Sequence, residues 1–187
     1  MAQLVRFLGT LGLALLLFPV GLATHEVMHL VVYSALGVPA VLVVTDWRLG
    51  SLGLPVFGLH AAPVGVPSAP FDVLVANNGL GPSLAALLLF VLWLSVGPRS
   101  RVARGALLGN VLALVFFAGL ELAYPLIERF ANVQADVLLL PELNYGGVLV
   151  ILVLVSAAAS WPRGASPRQR AARGGSPASA AGRLPAP

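Results

Sequence analysis

The chain has 187 residues, of which 58% are hydrophobic and 10% charged, and its mean hydropathy is +0.93. These values exclude an ordinary soluble globular protein and indicate that much of the surface faces lipid. The chain has no cysteine, which excludes disulfides and thiolate metal ligands, and its net charge of +4 comes from eleven arginines that flank the apolar segments instead of forming a nucleic-acid-binding patch.

Four apolar segments are long enough to cross a membrane as helices, because a hydrocarbon core of about 30 Å requires about 20 apolar residues. The predicted spans cover residues 8–36, 79–96, 105–124 and 137–161. We therefore predict an all-α integral membrane fold with about four transmembrane helices, which make up one domain over residues 1–161.

Two further segments lie outside the predicted helices. Residues 38–72 are rich in Gly and Pro, and the β-prone runs at 40–45 and 52–59 predict a small hairpin at the membrane surface, between the first two helices. Residues 162–187 contain five arginines among Gly, Ser, Pro and Ala. This segment has little apolar surface to bury, so we predict a disordered cytoplasmic tail.

The arginines also predict the orientation of the helices. If four spans alternate in direction, nine of the eleven arginines fall on one side, which leaves only Arg48 and Arg129 opposite. By the positive-inside rule both termini are then cytoplasmic, as expected for a multi-pass protein of the cell membrane. A competing interpretation makes residues 1–23 a cleaved signal peptide. Apolar sequence resumes directly after His29, however, which favours one long span with a polar insert.

The polar insert in the first span has the pattern of a zinc-binding helix. His25 and His29 are one helical turn apart and therefore share a face, while Glu26 projects beside them. Two imidazoles can bind zinc, and a neighbouring carboxylate can accept a proton from an attacking water. By composition, roughly one chain in a thousand would match this pattern by chance. The alternative is a polar helix end at the outer interface without a metal.

A third protein ligand must come from elsewhere in the chain. Asp136 is the first candidate, because His25 lies about 28 Å along the first helix from the cytoplasmic side and Asp136 enters the fourth span at a similar depth. Glu142 is the alternative, followed by Glu121 and then by His60 in the hairpin. Asp136 is equally well explained as the N-cap of the fourth helix.

Two asparagines precede the second predicted span. If the chain is unwound there, Asn77 and Asn78 could bind an extended substrate strand or stabilise an oxyanion. The alternative interpretation is a capped helix start that places Pro82 in the first helical turn.

The order of these motifs resembles that of the site-two protease group of intramembrane zinc metalloproteases. In that group an HExxH helix is followed by a surface hairpin and then by a helix with a Gly-Pro motif, which is similar to Gly81-Pro82 here. The resemblance implies a third ligand from an Asp at the start of a later helix. In this chain Asn144 and Tyr145 stand at that position, so the ligand would have moved to Asp136 or Glu142.

The motif and the resemblance together predict an intramembrane zinc metalloendopeptidase that cleaves membrane-embedded or membrane-adjacent segments. His25, His29 and Asp136 would hold the zinc, Glu26 would be the general base, and membrane proteins or peptides rather than nucleic acids would be the partners. One alternative is a catalytically inactive scaffold that binds partner helices. Another is a small metal or ion transporter in which Glu121, Asn110 and the two histidines line a polar path through the bundle. Two histidines and a carboxylate also suit iron and other divalent ions.

Overall fold

The computed structural model describes residues 1–49, 54–65, 70–97, 100–131 and 141–161, and the side chains of all these except 45–49, 54–57 and 141–142. The elements in chain order are α1 (Ala2–Ala35), β1 (Ala40–Leu49), β2 (Leu54–Pro63), α2 (Phe71–Ser95), α3 (Arg101–Ala131) and α4 (Pro141–Ser160). The predicted fold class, four long apolar helices with a two-stranded hairpin between the first and the second, is confirmed.

All four helices are long and apolar enough to cross a bilayer. The protein is therefore a multi-pass membrane protein. In the described part of the chain α1 is the longest helix, with 34 residues. At 1.5 Å per residue it extends about 51 Å, well beyond a hydrocarbon core of about 30 Å. The predicted tail at 162–187 and the predicted span residues 137–140 lie outside the described part of the chain.

The second helix begins earlier than the sequence predicted. It starts at Phe71 directly after Pro70, and Asp72 lies in its first turn, where a carboxylate is favoured by the helix dipole. The predictions of an unwound entry and of a helix start at residue 79 are therefore both wrong. Both asparagines lie inside the helix, and Asn78 finds a polar partner there, because its Nδ2 donates to the backbone carbonyl of Glu121 in α3. A count of apolar residues along the sequence does not detect such a contact.

The hairpin is longer than predicted, because each strand has ten residues. The strands are antiparallel, and their register runs from the pair Ala40 and Pro63 to the pair Leu49 and Leu54. Both strands contact α1, and β1 also contacts α4. Ala61 of β2 donates a hydrogen bond to Glu26, so the hairpin lies beside the half of α1 that carries the two histidines.

Small residues allow the four helices to approach closely. Much of the buried core is alanine, which is typical of transmembrane helix interfaces where backbones come near each other. The core cluster consists of Ala14, Ala85, Ala86, Ala106, Ala113, Leu114, Phe117, Val148 and Leu152. This packing places α3 in contact with each of the other three helices, so a polar side chain on α3 can face residues of α1 in the bundle interior.

Candidate metal centre

The two histidines of α1 converge inside the bundle. They are one turn apart on a continuous helix and point to the same face. Only 1% of His25 and 5% of His29 is exposed, and the two Nε2 atoms lie 2.6 Å apart. The predicted HExxH helix therefore brings two imidazole nitrogens to one point, as a shared metal ion requires.

The carboxylate that meets these histidines belongs to Glu121 of α3. Its Oε2 lies 3.0 Å from His29 Nε2, and its two oxygens lie 3.2 and 3.3 Å from His25 Nε2. Ligand atoms of the three residues all lie within 4.8 Å of one another. This group, two histidines and one carboxylate, could hold a metal ion, and it joins α1 to α3 across 92 residues of sequence.

None of the other candidates for the third ligand is grouped with the two histidines in the described part of the structure. Asp136 lies outside the described residues, and Glu142 is in the first turn of α4, but its side chain is not among those described. His60 is on β2 and is not part of the group. Among the candidates for the third ligand, the sequence placed Glu121 only third. An ionisable residue inside an apolar span must find a partner, and this requirement was the feature of the sequence that pointed to Glu121.

Glu26 adjoins the three candidate ligands. Its carboxylate is buried, with 7% of the residue exposed, and its Oε2 accepts a hydrogen bond from the backbone N–H of Ala61 on β2 at 2.9 Å. Glu26 lines a cavity of about 150 Å³. The other lining residues are Leu22, His25, Leu59, Phe117, Glu121, Asn144 and Tyr145. The expected general base and two of the candidate metal ligands therefore face one space.

The side chain of Asn78 forms a hydrogen bond with the backbone carbonyl of Glu121. Pro125 lies inside α3 and has no N–H, so the carbonyl oxygen of Glu121, four residues earlier, lacks its helical donor. Asn78 Nδ2 donates to this oxygen at 3.0 Å. The amide therefore satisfies a carbonyl exposed by a proline and holds α2 against α3 at the residue that supplies the carboxylate.

Asn77 reaches the histidine side of the same centre. Only 2% of Asn77 is exposed, and its side chain lies near the His29 ring and the Tyr33 hydroxyl. The two asparagines were predicted as substrate-binding residues at a helix entry. In the structure both lie within α2, and Asn78 contacts Glu121 of α3.

Gly81 gives the His29 ring the space it occupies. A Cβ atom at position 81 would lie 2.5 Å from Nδ1, 2.8 Å from Cε1 and 2.9 Å from Cγ of His29. Because real Cβ atoms do not come so close to ring atoms, only glycine allows α2 to pack on this imidazole. Sequence analysis identified the Gly-Pro pair but did not predict that its glycine contacts a histidine.

The chain matches no family model, no curated protein and no solved structure in the comparisons with known proteins. The likeness to site-two proteases is therefore a likeness of motif order alone. The arguments for function that follow depend on the geometry of the centre.

Proposed function

We propose that this protein is an intramembrane zinc metalloendopeptidase in which His25, His29 and Glu121 hold the metal and Glu26 is the general base. One observation carries the proposal: two imidazole nitrogens of α1 and a carboxylate of α3 meet within 4.8 Å, while Glu26 lines the adjoining cavity. Glu121 takes the place for which the sequence favoured Asp136.

The donor set fits zinc. Two neutral imidazoles and one carboxylate leave a fourth position open in a tetrahedral site, which is the arrangement of catalytic rather than structural zinc centres. Zinc in such a site supplies Lewis acidity toward a water molecule and a peptide carbonyl. The same donors also suit ferrous iron, so the identity of the metal has to be measured.

The surrounding residues suit proton transfer in a confined space. Glu26 follows His25 directly in sequence but is not one of the three ligands, so its carboxylate can accept a proton from a water molecule in the cavity and return it to a leaving amine. A cavity of about 150 Å³ admits a few backbone atoms of a peptide but not a folded helix. A helical substrate must therefore unwind locally before cleavage, since its backbone groups are otherwise paired within the helix.

The transporter alternative receives less support from the buried polar residues. Asn110 is 1% exposed in the middle of the bundle, where it could line a path for ions. Its Nδ2, however, donates to the carbonyl oxygens of Ala14 at 3.1 Å and Ala106 at 3.0 Å. The bond to Ala14 joins α3 to α1, and the bond to Ala106 lies within α3, so Asn110 has a structural role in helix packing.

Metal content tests the first half of the proposal. The wild-type protein, purified in detergent with zinc offered during purification, should contain about one zinc per chain by elemental analysis, and the His25→Ala/His29→Ala variant should contain none. A wild-type protein without metal would contradict the proposal. In that case His25, His29 and Glu121 interact only with one another, through hydrogen bonds and ion pairs, and the inactive scaffold becomes the better interpretation.

Single substitutions assign the third ligand. Glu121→Gln keeps the size and hydrogen-bonding capacity of the side chain but removes its charge, so we expect zinc affinity to fall by at least tenfold. Asp136→Asn and Glu142→Gln serve as matched carboxylate-to-amide changes. Loss of zinc in either of these variants, with zinc retained in Glu121→Gln, would transfer the assignment to that residue.

Proteolysis tests the second half of the proposal. Glu26→Gln should retain zinc and abolish cleavage, because an amide cannot accept the proton. Cells that express the wild type should show new N-termini within or beside transmembrane segments, and these should be absent from cells with Glu26→Gln at equal expression. If zinc is bound but no cleavage depends on Glu26, the protein is a metal-binding scaffold without peptidase activity.

A further inference from the structure

A backbone group of the hairpin contacts the candidate centre directly. The N–H of Ala61 on β2 donates to Glu26 Oε2 at 2.9 Å. We infer that Ala61 N–H is a positioning group for the general base, so that Glu26 is correctly oriented only while the hairpin is docked on α1. This inference rests on the proposed function for the role of Glu26, but the hydrogen bond itself can be tested separately.

The strand register explains why this N–H is available. Val64 N donates to Pro39 O at 2.8 Å, and the N–H groups of an antiparallel strand alternate between its partner and its outer edge. The N–H groups of alternate residues, Ala62 and His60, therefore point toward β1, and that of Ala61 points away. Pro63, which has no N–H, lies at another outward position, where proline does not interrupt the ladder.

A buried carboxylate requires such a donor. Glu26 is 7% exposed within a membrane-spanning helix, where an ionised group without hydrogen bonds is costly. A hydrogen bond from N–H to a carboxylate is among the stronger kinds in proteins. It also restricts the rotation of a long side chain, and a general base must lie within about 3 Å of the proton that it removes.

The positioning role couples two parts of the molecule. Glu26 lies on α1 between the two candidate ligands, whereas Ala61 belongs to a strand separated from it by 35 residues. Displacement of β2 would leave His25 and His29 in place on their helix but would release the carboxylate. Metal binding and orientation of the base are therefore separable, and a change at Ala61 should affect only the second.

One NMR signal reports this hydrogen bond directly. His60-Ala61 is the only His-Ala pair in the chain, so protein labelled with ¹³C-carbonyl histidine and ¹⁵N-alanine gives a single HNCO peak, that of the Ala61 amide. We expect Glu26→Ala to move its proton upfield and to accelerate its exchange with solvent at least tenfold. Glu128→Ala, which removes a carboxylate outside the centre, should change neither. An unchanged peak in Glu26→Ala would overturn the inference.

A proline substitution then tests the positioning role. Ala61→Pro removes only the N–H directed at Glu26, and Leu42→Pro is the matched control, because Leu42 pairs with Ala61 in the register but lies on the other strand. The readout is the affinity of acetohydroxamate for the cobalt-loaded protein, measured by visible absorption. We expect Ala61→Pro to weaken hydroxamate binding about tenfold with cobalt content unchanged. Leu42→Pro should keep the hydroxamate affinity within twofold of the wild-type value.

The double variant distinguishes positioning from damage to the fold. If Ala61 acts only through Glu26, adding Ala61→Pro to Glu26→Ala should weaken hydroxamate binding no further. Additive losses would show that the proline disturbs the hairpin and would overturn the positioning role. If no variant binds metal, the proposed function fails, whereas the NMR experiment still decides whether Ala61 holds Glu26.

Discussion

The two ends of the helix bundle are held together by different kinds of contact. At the end that carries the histidines, polar contacts join three helices and the hairpin: Glu121 meets the histidines, Asn78 binds the Glu121 carbonyl, and Ala61 binds Glu26. At the other end, small residues pack directly. A Cβ at Gly105 would lie 2.8 Å from both Thr10 Cγ2 and Ala159 Cβ.

The difference between the two ends arises because lipid, and not water, surrounds the helices. Apolar surface gains little from helix association in lipid, so a purely structural interface depends on close backbone approach through small residues. Buried polar residues toward the packed end, such as Thr10 and Ser156, carry only small hydroxyl groups. Buried ionisable side chains cost far more unless each is partnered, and their concentration at the histidine end indicates a use beyond folding. We therefore expect substitutions at the histidine end to change metal binding, and those at the packed end to change stability alone.

The largest effect on metal binding from a residue other than the ligands is expected at Gly81. Gly81→Ala places a methyl group against the His29 ring and must displace it, so zinc affinity should fall by about 10- to 100-fold, the usual effect of disturbing the support of a ligand. Gly79→Ala is the control on the same helix, because its Cβ would lie 3.6 Å from Leu122 Cδ1, an ordinary contact. Competition with a zinc-binding dye measures both affinities, and equal affinities would contradict the structure.

At the packed end, Gly105→Ala should destabilise the bundle without affecting the metal. The added methyl overlaps residues of α1 and α4, and overpacking of this kind typically costs about 1–3 kcal/mol. Gly12→Ala has open space around its Cβ and should unfold near the wild-type temperature. Thermal unfolding in detergent gives the comparison. A loss of zinc in folded Gly105→Ala protein would show that the two ends are not independent.

The smallest effect, about 1 kcal/mol, is expected at Asn78, because hydrogen bonds between transmembrane helices contribute about this much. Asn78→Ala leaves the Glu121 carbonyl without a donor. Pro125→Ala restores a backbone N–H to that carbonyl, so Asn78→Ala should lower the unfolding temperature less in the Pro125→Ala background than in the wild type. Equal losses in both backgrounds would mean that the Asn78 bond does not compensate for the proline.

The local part of the candidate centre was predictable from sequence. A period of four residues on a helix places His25 and His29 on one face whatever surrounds them, and Glu26 must project beside them. Glu121 could not be assigned in this way. Its contact with the histidines depends on how α3 packs against α1, and a small residue such as Gly105, which lies against Thr10 of α1, allows that close packing.

Composition and the lengths of the apolar segments by themselves determined that the chain is a four-helix membrane protein, because lipid allows few other backbone arrangements. The β-prone runs between the first two spans predicted the hairpin. The four-residue spacing of His25 and His29 determined the HExxH face of α1. Only the tertiary structure decided which carboxylate faces that helix, which amide satisfies the carbonyl left by Pro125, and which strand supplies an N–H to Glu26. These contacts join residues far apart in sequence, and each depends on the relative position of two packed elements, which no local pattern specifies.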